Sequence, residues 1–201
     1  MRNNIHFYKK LTSTHFACMS QSQKKFKIYT KTGDQGQTSL YDGSRVCKNE
    51  QIFDVLGYID ELSAHIGMLM YYLRVKANVS LREYAWLPFL TQTQQKLLNI
   101  GSIIATPNPR EGQKLPEITI HDVENIENAI DKMDEELKPL TVFIVQSGVN
   151  QSEAQAHICR TVTRRVEREI LKYGNVDENI CKFFNRLSDY FFTLARSVSE
   201  D

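Results

Sequence analysis

A chain of 201 residues, 41% hydrophobic and 24% charged with a formal net charge of +1, is long enough to close one sizeable core. It carries no global field that would argue for nucleic acid or a membrane surface as partner, and no run approaches the ~20 apolar residues of a membrane-spanning helix. Cys18, Cys47, Cys159 and Cys181 show no C-x-x-C spacing and do not pair with the histidines at ligand spacings, so they read as reduced structural thiols and no metal site of protein ligands is expected.

Residues 1–33 hold seven Lys/Arg and no acid before Asp34, with Thr12, Ser13, Thr14, Ser20 and Ser22 among them. A basic, hydroxyl-rich, acid-free start has the composition of an organelle transit peptide. Residues 1–24 are therefore set apart as a leader, either mitochondrial or a basic tail on a cytosolic protein, and 25–201 as the folded domain. The loop that follows concentrates Thr30, Lys31, Thr32, Thr38 and Ser39 around Gly33 and Gly36. Hydroxyls, a cation and close backbone approach suit a polyphosphate, although the loop is not a Walker A motif and by itself could be only a turn.

Beyond it the pattern is helical almost throughout. Ile52, Val55, Leu56, Ile59, Leu62, Ile66, Leu69 and Leu73 recur at steps of three and four and predict a first helix. A second is predicted from near Glu83 to Ala105, with Leu87, Leu90, Leu97, Leu98, Gly101 and Ile104 inward and Pro88 tolerated near its start. A Pro- and Gly-containing loop, 106–112, leads to a third helix carrying Val123, Ile126, Ile130, Met133 and Leu137, ended by Pro139. Phe143-Ile-Val145 is a short apolar run that could be extended. The fourth helix starts near Ser152 and stops at Gly174. The fifth has the cleanest period: Ile180, Phe184, Leu187, Phe191, Leu194, Val198. No segment alternates with period two for long enough to predict a strand, so the expected fold is all-α, an antiparallel five-helix bundle.

On the fourth helix, at about 100° per residue, Arg160, Arg164 and Arg168 fall near 0°, 40° and 80° and Glu167 near −20°, while Ile158, Cys159, Val162, Val166 and Ile170 gather between roughly 160° and 280°. Arg165, near about 140°, lies off the stripe and beside the apolar arc. Such a stripe can be a solvated face. Four Arg with no Lys favour bidentate anion contacts instead, and Glu167 alone cannot neutralise them. His157, one turn earlier, reads as a structural histidine. Asp60 and Glu61, in the middle of the first helix, could be solvated or could meet an arginine of another element.

Four separated motifs carry a family resemblance: Tyr29-Thr-Lys-Thr-Gly-Asp-x-Gly-x-Thr-Ser39, Gly57-x-x-Asp-Glu-Leu62, Arg160-x-x-x-Arg-Arg-x-Glu-Arg168 and Asn185-Arg-Leu-Ser-Asp-Tyr190. In this order they resemble the cobalamin adenosyltransferases of the propanediol-utilisation type, over residues 26–198. The resemblance implies a homotrimer of five-helix bundles with ATP and cobalamin at the subunit interfaces. It implies transfer of the 5′-deoxyadenosyl group of ATP to cob(I)alamin, giving adenosylcobalamin and inorganic triphosphate, with Mg²⁺ sharing the triphosphate charge. An ATP-binding helical adaptor of the same fold, without turnover, is the alternative.

Carried over by motif, Thr30, Lys31, Thr32, Gly33, Thr38, Ser39 and Lys48 would hold the triphosphate, completed by Arg164, Arg165, Val166, Glu167, Arg168 and Asn185. Arg164 would act in catalysis, Asp60 and Arg160 would form an intersubunit ion pair, and Phe143 would face the cobalt. A reductase delivering Co(I) and an acceptor of adenosylcobalamin are implied as partners. Two departures stand out: Val145-Gln-Ser-Gly-Val-Asn150 replaces the usual Leu-Pro-Gly-Gly and is about one residue longer, and Asn49 replaces a usual Asp.

Overall fold

The computed structural model describes residues 27–76, 86–174 and 176–199; the leader, 1–24, and the expected start of the second helix at Glu83 lie outside them. The described residues belong to two bodies, a short amino-terminal one ending at Thr32 and a main one from Gly33 onward. In the first, the chain is irregular, Lys31 adopts φ +60° and the Thr30 and Thr32 hydroxyls are 2.8 Å apart.

The main body is a bundle of α1 (Gln51–Lys76), α2 (Trp86–Ile104), α3 (Ile120–Asp134), α4 (Gln151–Tyr173) and α5 (Glu178–Ser199). The all-α expectation holds with one addition: β1 (Gln37–Ser39) and β2 (Arg45–Cys47) form a small antiparallel hairpin, Thr38 opposite Val46. Three-residue strands are too short to show a period of two. The hairpin is tied to the end of α2 by Tyr41 N–H donating to Ala105 O at 3.0 Å, and to the following loop by Arg110 Nη2 donating to Asp42 O at 3.0 Å.

Helix α4 packs between α1 and α5, α2 lies on α1 and α3 on α5. Phe89 of α2 stacks on Tyr190 of α5 at 4.3 Å, and Lys96 of α2 pairs with Asp122 of α3 at 2.6 Å, which closes the ring of helices. Cross-helix contacts show the alternation of direction: Glu61 meets Arg165 while His65 meets Gln155, and Glu167 meets Asn185 while Asn150 meets Val198. One end of the bundle therefore carries the hairpin and the last turn of α4, and the other carries the 138–149 segment and the first turn of α4.

Every residue of the fifth predicted stripe is buried. On α1 the stripe is buried too, except Leu56, which is half-buried. Leu98 corrects the sequence reading, being 65% exposed. The inward positions of α2 include Thr93 and Ile100, and Leu98 stands about 100° round from Leu97 on the outer rim. Ile158, at the margin of its arc, is also exposed. Helix α3 stops at Asp134, before Pro139, and Leu137 is buried from the turn beyond it. Gly174 ends α4 as expected, at φ +71° with its N–H on Ile170 O, a backbone state that glycine adopts without penalty.

Candidate functional site

The two clusters of sequence-predicted residues in the main body are the hairpin loop and the outer face of α4. In the loop, Gly36 N–H closes a turn onto Gly33 O, and Lys48 N–H bonds Gly36 O at 2.8 Å, folding Lys48 back onto the turn. A Cβ on Gly33 would lie 3.1 Å from Lys48 Nζ and 3.3 Å from Gln37 O, so the lysine amine lies against a glycine. Ser39 Oγ accepts from Arg45 Nη1 at 3.2 Å, and Thr38 stands between Gln37 and Ser39 on β1. Thr30, Lys31 and Thr32 belong to the amino-terminal body.

Across α4, Arg160 is half-buried and Arg164 and Arg168 are exposed. No hydrogen bond joins any of the three guanidiniums to a carboxylate among the described residues, and Arg160 Nε is buried without a partner. Arg165 behaves differently. It pairs with Glu61 of α1 and lies 4.7 Å over the Tyr58 ring, because the α1 side of the helix is where its wheel position points. Glu167 accepts from Asn185 Nδ2 at 2.9 Å, and Asn185 accepts from Arg186, whose Nε also bonds Glu127 at 2.8 Å. Val166 is fully buried in the core, so its side chain packs into the bundle.

Sequence reasoning assigned no role to Asp189, four residues after Asn185 and so on the same face of α5. Desolvation pushes its carboxyl above the ordinary range, Arg186 and Arg164 pull against that, and Glu167 adds to it. The i+4 spacing inside the quoted motif was the available signal. Arg45 was also missed, and an unreadable hairpin offered none. His157 is buried, but its Nδ1 has no hydrogen-bond partner among the described residues, so it is not a satisfied structural histidine; burial and then Arg160 hold its pKa below the usual value, with Glu153 opposing.

Asp60 and Arg160 do not meet within the protomer. Asp60 is exposed in a groove of about 310 Å³ between α1 and α2, with Tyr41, Leu56, Ser63, Gln94 and Leu98, whereas Arg160 projects from the outer face of α4. Phe143 is fully exposed at the opposite end of the bundle from the hairpin. Among the described residues no three His, Cys, Asp or Glu converge as a metal cage, and no helix is long and apolar enough to cross a membrane.

The five-helix bundle and its sequence have counterparts among known proteins. The cobalamin adenosyltransferase family model matches residues 28–198. This chain belongs to that family. It is 42% identical over 183 residues to the corrinoid adenosyltransferase MMAB of Bos taurus, covering 88% of this chain and 73% of that protein. It is 36% identical over 176 residues to the corrinoid adenosyltransferase of Bacillus subtilis, covering 86% of each. A variant PduO-type ATP:corrinoid adenosyltransferase from Lactobacillus reuteri, solved with cobalamin and ATP, superposes with a TM-score of 0.76 at 30% identity, covering 87% of this chain and 94% of that one.

Gly33 offers a direct test of the loop. Gly33→Ala is expected to push the Lys48 amine aside and raise KM for ATP several-fold, roughly the effect of one weakened charge-assisted contact, with helical content retained by circular dichroism. An unchanged KM would show that Lys48 does not act from that position.

Proposed function

We propose that the hairpin loop and the outer face of α4 hold the triphosphate of ATP, that the 140–149 segment faces the corrinoid, and that a second copy of the chain completes the site. The chain is an ATP-dependent corrinoid adenosyltransferase. Cob(I)alamin is itself the nucleophile: the cobalt electron pair becomes the Co–C5′ bond, the C5′–O bond breaks, and inorganic triphosphate leaves with the electron pair of that C5′–O bond. No side-chain nucleophile is required, so the protein's contribution is positioning and charge stabilisation.

The observation that carries the assignment is the pair of guanidiniums, Arg164 and Arg168, exposed on one face of α4 beside Asn185 and free of any carboxylate bond among the described residues. Arginine forks match the oxygens of a polyphosphate. Lys48, Thr38 and Ser39 supply the lighter contacts, joined in this reading by Thr30, Lys31, Thr32 and the backbone at Gly33. Arg165, tied to Glu61, positions α4 on α1. Glu167 holds Asn185 in place. Mg²⁺ enters as the counter-ion of the nucleotide, which suits an ion that keeps waters and binds substrate phosphates more than protein cages.

The assembly reading rests on two different faces. The Asp60 groove and the Arg160 face lie on separate sides of one protomer, so a contact between them is heterologous, the kind that forms a ring where the rotation between copies closes. A homotrimer with Asp60 of one copy on Arg160 of the next fits this, and it covers the exposed Leu98 at the rim. The basic leader, by composition, is an address to mitochondria. A reductase supplying Co(I) and an acceptor of adenosylcobalamin complete the partners.

Three measurements bear on this. Arg164→Lys keeps charge but loses the fork, and KM for ATP is expected to rise roughly tenfold, about one charge-assisted hydrogen bond; unaltered kinetics would reduce Arg164 to a surface residue. Asp60→Ala and Arg160→Ala should each shift sedimentation toward smaller species, since stranding one charge of a buried pair costs about 3–5 kcal/mol. The double variant should then be less damaged than the sum, and additive effects on an intact oligomer would refute the pairing. A reporter carrying residues 1–24 is expected in mitochondria, and one left in the cytosol would defeat the address.

A further inference from the structure

The segment between α3 and α4 presents Leu140, Val142, Phe143, Ile144, Val145 and Val149 to solvent. Having no helix or strand of its own, it owes its placement to its two stems. The carboxy-terminal stem is fastened by named bonds. Val149 N–H donates to Glu153 Oε2, Glu153 N–H donates to Asn150 Oδ1 at 2.9 Å, and Asn150 Nδ2 donates to Val198 O of α5 at 2.7 Å. Gly148, at φ +64°, turns the chain into this clasp.

Glu153 is the third residue of α4, with Asn150 as the N-cap. A carboxylate there ordinarily reaches back to the N-cap amide. In this chain it reaches one residue further, onto the apolar segment. Its other oxygen lies 3.6 Å from His157 Nε2, with the two side chains 4% and 8% exposed. A carboxylate taken out of water is costly unless hydrogen-bonded, and among the described residues the Val149 amide is the donor bonded to this one. With Arg160 at zero, Glu153 falls near about 20° and His157 near about 60° on the helical wheel. The side chain that holds the segment and the guanidiniums therefore share one face of one rigid helix.

We propose that Glu153 is a positioning residue for the corrinoid half of the reaction. Through the Val149 amide it sets where the apolar 140–149 segment stands relative to the arginine face of α4. The inference rests on the assignment of that segment to the corrinoid made above. Its essential property is reach. An aspartate at 153 keeps the negative charge that favours a helix N-terminus but falls one methylene short of Val149, whereas a glutamine keeps the reach and an accepting oxygen.

The test compares Glu153→Asp, Glu153→Gln and Phe143→Ala in steady-state turnover of the full chain with ATP and chemically reduced cobalamin, with far-ultraviolet dichroism as the check on folding. Glu153→Asp is expected to raise KM for reduced cobalamin roughly tenfold, the scale of a lost hydrogen-bonded anchor, and to leave KM for ATP in place. Glu153→Gln is expected to recover most of that loss. A general structural role would move both KM values together and would follow charge instead of reach. The proposal is overturned if Glu153→Asp matches the parent protein, if both KM values rise in parallel, or if Glu153→Gln is no better than Glu153→Asp. Phe143→Ala separates the two levels. If it leaves KM for reduced cobalamin unchanged, the assignment of the segment falls and takes the proposal with it. If it raises that KM while Glu153→Asp does not, the anchor alone is refuted.

Discussion

Helix α4 is clamped from two sides, and that clamping keeps its guanidiniums available. The arc formed by Cys159, Val162, Val166 and Ile170 is buried against its neighbours, which fixes the rotation of the helix about its axis. Once that rotation is set, Arg164 and Arg168 point outward, while Arg160, nearer the buried first half of the helix, is half-buried. Arg165 and Glu61, at the α1 edge, act as a pin on the same rotation. Breaking the pin or cutting a buried arc residue would let the helix roll, and a roll of about two residues, roughly 180°, would bring the apolar arc to where the arginine stripe stands.

The same logic explains how the charge on this face is tolerated. Three guanidiniums spaced four residues apart on one helix repel one another, and salt screens exposed charges strongly only beyond a Debye length of ~10 Å. The chain places Glu167 and Asp189 at one margin. Glu167 is held by Asn185, and Asp189 lies near Arg164 and Arg186 with a raised pKa. The carboxylates temper the field without bonding the stripe.

The helices were legible because long amphipathic periods leave a strong trace. The stripe of α5 is buried at every predicted position, and both the Arg165 offset and the Gly174 stop followed from helical geometry and backbone preference. The hairpin was not legible, since its strands are three residues long and depend on a carbonyl at Ala105 and a guanidinium at Arg110, both distant in sequence. The inward placement of Leu98 failed because periodicity marks an apolar face without saying whether the same chain covers it. Likewise Val166, inside a motif dense with arginines, has its side chain in the core. Motif membership tracks the chain, and ligand contact tracks the face. The Glu153 clasp left no trace in the sequence, because nothing there says that the carboxylate reaches past the cap.

The burial of α4 also sorts the sulfur chemistry of the protein. Cys159, one residue before Arg160, is enclosed in the core and desolvation pushes its thiol up to about 12, so it stays protonated and unreactive at physiological pH. Cys181 is half-covered and shifted the same way, again by desolvation first. Cys47 stands exposed on β2, next to Lys48. Among the described residues, an alkylating reagent or a thiol-reactive dye therefore meets one accessible sulfur before the others. That sulfur sits on the loop that would close around a nucleotide, where a label would report occupancy.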